Sequence, residues 1–115
     1  MKTLCFDLDN TICNTKKNYY RRSTPKPKVV KYINSLYGNY KIIIFTARFM
    51  GQENGNVSQA KKRGYKFTEK QLIKWGLKYN KLIFGKPSYD IYVDDKNLSF
   101  KKNWISDLKK KLNSV

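Results

Sequence analysis

The chain carries only eight carboxylates, and four of them fall directly after apolar runs. Asp7 and Asp9 follow Thr3-Leu4-Cys5-Phe6, and Asp94 and Asp95 follow Ile91-Tyr92-Val93. If both runs are central strands of one parallel sheet, the four acids converge beyond the carboxyl ends of the strands, where open sheets bind ligands. Four clustered anions repel one another unless a cation stands among them, and hard oxygen donors favour Mg²⁺ over zinc. The chain has no histidine, so imidazole serves neither as base nor as ligand.

These acids need a scaffold, and the pattern of apolar residues predicts one. Thr3–Leu8 reads as a buried strand. Residues 10–24 are polar, aromatic and basic, and read as a loop or small hairpin. Pro25 and Pro27 open a helix, which tolerates proline in its first turn. Val29, Val30, Ile33, Leu36 and Tyr37 follow at helical spacing, and Gly38 ends the run. Lys41–Thr46 is a second strand, apolar throughout Ile42–Phe45, as in a sheet covered on both sides. Residues 50–56 read as loop, and Val57–Arg63 as a short helix ending at Gly64. Thr68 then caps a separate helix that ends at Gly76. Leu82–Phe84 and Ile91–Val93 are predicted as a third and a fourth strand. A last amphipathic helix uses Phe100, Trp104, Ile105, Leu108 and Leu112. Strands alternating with helices predict one α/β domain over residues 1–115, a Rossmann-like parallel sheet with helices on both faces.

Bulk properties narrow the partners. The formal charge of +17 points to anionic partners. With 21 Lys and only 4 Arg, however, the excess reads more as lysine-rich composition than as a dedicated nucleic-acid surface. Such a surface would use more of the bidentate phosphate binder. Two unclustered cysteines, Cys5 and Cys13, form neither a disulfide framework nor a zinc site. No apolar run approaches the ~20 residues of a membrane span. With a strand entered at Thr3, no signal peptide is expected, and a cytoplasmic address is the simplest expectation.

Phe6-Asp7-Leu8-Asp9-Asn10-Thr11 resembles the first motif of the haloacid dehalogenase superfamily, an apolar strand running into Asp-x-Asp-x-Thr. Three more motifs follow in that superfamily's order: Ile44-Phe45-Thr46, Lys86 within Phe84-Gly85-Lys86-Pro87, and Ile91-Tyr92-Val93-Asp94-Asp95. The resemblance implies a Mg²⁺-dependent phosphatase. Asp7 would attack phosphorus and form an aspartyl-phosphate. Asp9 would protonate the leaving oxygen and then deprotonate water. Thr46 would bind a phosphoryl oxygen, and Lys86 would neutralise charge on Asp7 and the phosphoryl group. Asp7, the Asp9 carbonyl and Asp95 would ligate the metal, with Asp94 in support or in exchange with Asp95.

A second resemblance is to the capsule-biosynthesis phosphatases of the same superfamily. It rests on Phe45-Thr46-Ala47-Arg48 with Met50, Gly55-Asn56-Val57, Trp75, Gly85-Lys86-Pro87 and Asp94-Asp95-Lys96. It implies a substrate-binding stretch Thr46-Ala47-Arg48, with Arg48 as a phosphate clamp. The spacers at 10–26 and 48–80 are too short for the cap domains that many members insert, so the site is expected to be open. Open sites act on bulky substrates or are closed by homo-oligomerisation. The expected substrate is a phosphorylated sugar or a similar small metabolite. The alternative is a nucleotide or a polynucleotide end, favoured by the charge, the open site, Arg48 (the Thr46-x-Arg48 pattern also resembles polynucleotide 3′-phosphatases of the superfamily) and the loop residues Tyr19, Tyr20, Arg21 and Arg22, which could stack bases.

Overall fold

The computed structural model describes residues 1–113; the last two residues of the expected domain, 114–115, lie outside the described residues. Three parallel strands form the main sheet: β1 (Thr3–Asp7), β4 (Lys41–Thr46) and β5 (Lys81–Phe84), in the order β1-β4-β5. A two-stranded ribbon, β2 (Cys13–Asn14) with β3 (Thr24–Pro25), makes the small hairpin after β1. The helices are α1 (Pro27–Leu36), α2 (Val57–Lys74) and α3 (Trp104–Asn113). The chain is therefore α/β with a parallel sheet, and among the described residues no helix is long and apolar enough to cross a membrane.

Register explains the core. Phe6 pairs with Ile44, Ile44 with Leu82, and Thr46 with Phe84. Residues paired across parallel strands point to the same side, and Phe6, Ile42, Ile44, Leu82 and Phe84 are all buried. On the other side Ile43 and Phe45 are half-buried, and Cys5 and Ile83 are exposed. The continuous apolar run of β4 thus meets one closed and one partly open face, rather than a sheet sealed on both sides.

The expected fourth strand does not form. Residues 91–93 lie in an irregular segment with Ile91 82% and Val93 90% exposed. A run of three apolar residues offers little surface to a sheet, and local contacts hold the segment in another shape. The Tyr89 and Tyr92 rings meet edge-on at 5.1 Å, the Tyr92 hydroxyl donates to Asp94, and Asp94 accepts from the Lys96 N–H. As a result β1 is an edge strand.

Residues 57–74 also differ from expectation, forming one helix instead of two. Both apparent boundaries are packing residues. A Cβ on Gly64 would lie 2.3 Å from the Phe49 ring, so glycine is needed where that ring crosses the helix. Thr68 is fully buried, and its hydroxyl accepts from the Arg48 guanidinium instead of capping a helix start. The true N-cap is Asn56, whose side chain accepts from the Gln59 N–H.

Candidate active site

Three strand ends meet. Asp7 closes β1, Thr46 closes β4, and Lys86 stands two residues beyond β5, with its N–H bonded to the Thr46 carbonyl at 3.1 Å. That bond fixes the turn through Gly85, whose φ of +107° belongs to glycine. The Lys86 Nζ lies 3.2 Å from Asp7 Oδ1, and the Thr11 hydroxyl donates to Asp7 Oδ2 at 3.1 Å. Burial alone would lower the Lys86 ammonium. Hydrogen bonding to Tyr89 and the adjacent Asp7 charge outweigh it and hold the pKa above its ordinary 10.5. The ammonium is therefore charged across the neutral range. Asp7 keeps about a third of its side chain exposed.

Thr46 is buried with its hydroxyl accepting from the Arg48 N–H at 3.1 Å, and no acceptor for its own O–H is found among the described residues. Ala47 is half-buried in the turn that follows, its carbonyl accepting from Met50.

Asp9 sits in the tight turn after β1, where the buried Leu8 carbonyl accepts from the N–H groups of Thr11, Ile12 and Cys13. Its carboxylate is heavily engaged. Oδ1 accepts from Arg48 Nη2, the Thr15 hydroxyl and the Cys13 thiol, and Oδ2 accepts from Arg48 Nε. Both arginine contacts are 2.9 Å.

Arg48 does not stand at the edge of the cleft as a phosphate clamp. Its side chain is fully buried. The donors left over from Asp9 go to Thr68, Gln71 and Ser23, so its five N–H groups have partners within the protein. The rings of Tyr20 and Phe67 flank the guanidinium, at 5.0 and 5.8 Å. Tyr20 is thereby turned inward, while Tyr19 stays exposed.

The second acidic pair is placed differently from the expectation. With no fourth strand, Asp94 and Asp95 are exposed in the irregular segment, and Asp95 does not line the cleft with the other three acids. Asp94 lines the same cleft as Asp7, Asp9 and Lys86, a space of about 760 Å³ walled in part by Tyr89 and Tyr92. Among the described residues no three Asp, Glu, Cys or His side chains lie close enough to hold an ion between them. The donor chemistry still suits a hard cation, because the polar wall offers carboxylates at Asp7, Asp9 and Asp94 and no imidazole, and burial raises the pKa of its one thiol, Cys5.

Some of these residues carry little signal in the sequence. Thr15, Ser23 and Gln71 belong to no motif, and Thr68 looks like a helix cap. Only their shared contact with Asp9 or Arg48 identifies them.

No family model and no curated protein matches the chain. A solved structure does: the crystal structure of a structural-genomics target from Vibrio cholerae, 27% identical, with a TM-score of 0.79 over 97% of this chain and 99% of that one. The likeness covers the whole α/β unit and names no activity.

The arrangement has a definite chemical capacity. A carboxylate is held between an ammonium and a hydroxyl at the mouth of a cleft, with a second carboxylate fixed two residues along. It can present one oxygen nucleophile and one proton carrier to an anionic ligand whose charge Lys86 offsets.

Proposed function

We propose that the protein is a phosphomonoesterase of the haloacid dehalogenase type, acting through an aspartyl-phosphate on Asp7. The observation that carries this reading is the contact of the Lys86 ammonium with the Asp7 carboxylate in the cleft, across the end of the strand that lies between them. Asp7 attacks phosphorus, and the leaving oxygen departs with a proton from Asp9. Water then attacks the acyl phosphate, giving its proton to Asp9, and inorganic phosphate leaves. Lys86 offsets the charge that builds on the phosphoryl oxygens, whereas Thr46 is buried and does not line the cleft, so no phosphoryl contact is assigned to its hydroxyl. Mg²⁺, held by Asp7, the Asp9 carbonyl and Asp95 or Asp94, would supply counter-charge for a phosphate dianion approaching a carboxylate.

The substrate proposed is a phosphorylated sugar or a similar small metabolite, bound in the cleft beside Tyr89 and Tyr92. A nucleotide or polynucleotide end is the second reading. The inward turn of Tyr20 removes one of the rings proposed for stacking bases, which favours the first. A panel of sugar phosphates, nucleotides, phosphorylated DNA ends and an aryl phosphate, assayed with Mg²⁺, tests both. Release of phosphate from none of them overturns the proposal.

A further inference from the structure

The strongest side-chain constellation outside the Asp7–Lys86 pair surrounds Arg48. Its side chain is fully buried in a small, open protein, yet it touches no part of the cleft wall except through Asp9. Two parallel bonds join the guanidinium to the carboxylate, a geometry that fixes both the plane and the rotation of the Asp9 side chain.

The fold commits several unfavourable features to this contact. The turn after Arg48 puts Phe49 at φ +66°, an outlier for an aromatic residue. Its ring packs edge-on against Tyr20 at 4.9 Å and Phe67 at 5.9 Å, and it occupies space that only Gly64 leaves open. On the far side Thr68 and Gln71, both on α2, take the Nη1 donors, and Gln71 also donates to the Tyr20 carbonyl. The β4–α2 connection therefore braces Arg48, and Arg48 braces Asp9.

Of the Asp9 oxygens, Oδ1 carries three donors and Oδ2 only one. A carboxylate oxygen accepts about two hydrogen bonds. Oδ2 thus keeps a position free, and Asp9 lines the cleft.

We infer that Arg48 is a positioning residue, which acts through its two-bond contact with Asp9 to aim Oδ2 at the leaving group and makes no contact with substrate. This rests on the phosphatase reading above, with Asp9 as the proton carrier. Lysine cannot reproduce the two-bond fork, so Arg48→Lys keeps the charge and loses the aim. A misplacement of about 1 Å at a reacting group costs on the order of 10²-fold.

The test is a double-mutant cycle on wild type, Arg48→Lys, Asp9→Asn and the double variant. Single-turnover release of the leaving group is measured for an alkyl ester, a hexose 6-phosphate, and for an aryl ester, 4-nitrophenyl phosphate. The aryl leaving group departs without a proton, so its release reports whether the fold and Asp7 are intact. Arg48→Lys should slow alkyl release about 10²-fold and aryl release only a few-fold. In the Asp9→Asn background it should change alkyl release little, because the residue it positions is already disabled. Equal losses for the two esters, or full additivity with Asp9→Asn, would overturn the inference while leaving the phosphatase reading in place. A wild-type protein that releases phosphate from neither ester, nor from any other member of the substrate panel above, would overturn both.

Discussion

Lys86 and Asp7, 79 residues apart in the chain, meet at 3.2 Å because the strand ends that carry them flank the end of β4. The contact is partly open to solvent, so the catalytic role proposed for it can be tested separately from any role in folding.

Lys86→Met should leave the fold nearly as stable as wild type. Part-exposed ion pairs are worth at most about 1 kcal/mol. If the ammonium offsets charge on the phosphoryl group, turnover should fall by about 10²–10³-fold, as when one preorganised electrostatic partner is removed. Paired measurements of Tm and kcat decide it. A Tm loss with turnover retained would make Lys86 a purely structural residue.

Under the proposed mechanism, chelating Mg²⁺ should silence phosphate release, and Mg²⁺ binding should be visible without an assay. Calorimetric titration of Mg²⁺ into the metal-free protein should show binding, and Asp95→Asn should weaken it. Because Asp94 and Asp95 are exposed in an irregular segment, Mg²⁺ should also increase amide-exchange protection across residues 89–97. Full activity in excess chelator would contradict the scheme.

Gly64→Ala sets two magnitudes against each other. Alanine in a helix interior gains about 1 kcal/mol over glycine. Here its Cβ would fall 2.3 Å from a ring held on two sides by Tyr20 and Phe67, and overpacking costs about 1–3 kcal/mol. The net expectation is a loss of about 1 kcal/mol, read as a Tm lower by about 4 °C. A higher Tm would mean that the Phe49 ring moves aside freely.

The position of the candidate cleft was legible because the polar residues singled out in the sequence fall at strand ends. Asp7, Thr46 and Lys86 lie where apolar runs stop, and the parallel register brings those stops together. The α1 boundaries were equally readable from Pro27 and from the buried face Val29, Val30, Ile33 and Leu36. Sequence reading failed where a residue type had two physical uses. Gly64 and Thr68 look like a helix end and a helix start, but they serve the packing of Phe49 and the burial of Arg48. Arg48 beside a motif looked like a substrate contact, and only three-dimensional structure shows its donors already taken. The run 91–93 has strand-like composition, but three residues set no register against contacts made by Tyr89, Tyr92 and Asp94.

Stability should decline on the alkaline side. Burial raises the Cys13 thiol above its ordinary 9.0, with Asp9 adding to the effect, and burial likewise raises Tyr32 and Tyr79 above 10.0. In each case the folded state holds the proton more tightly than the unfolded chain. The stabilisation is complete below the unfolded pKa and is lost as pH rises through the folded one. Tm should hold from about pH 7 to 9 and fall beyond that, and Cys13→Ala should blunt the first part of the decline. A Tm unchanged to pH 10.5 would show that these groups titrate as they do in the unfolded chain.

The role of Asp7 is tested most directly by acid-quenching the protein during turnover of a hydrolysed phosphate ester with Mg²⁺ and locating covalent phosphate by peptide mass spectrometry. Phosphate should appear on the peptide containing Asp7, vanish when the substrate is exhausted, and be absent in Asp7→Asn, which should be folded and inactive. Steady-state turnover by purified Asp7→Asn, or phosphate trapped on a different residue, would contradict Asp7 as the nucleophile.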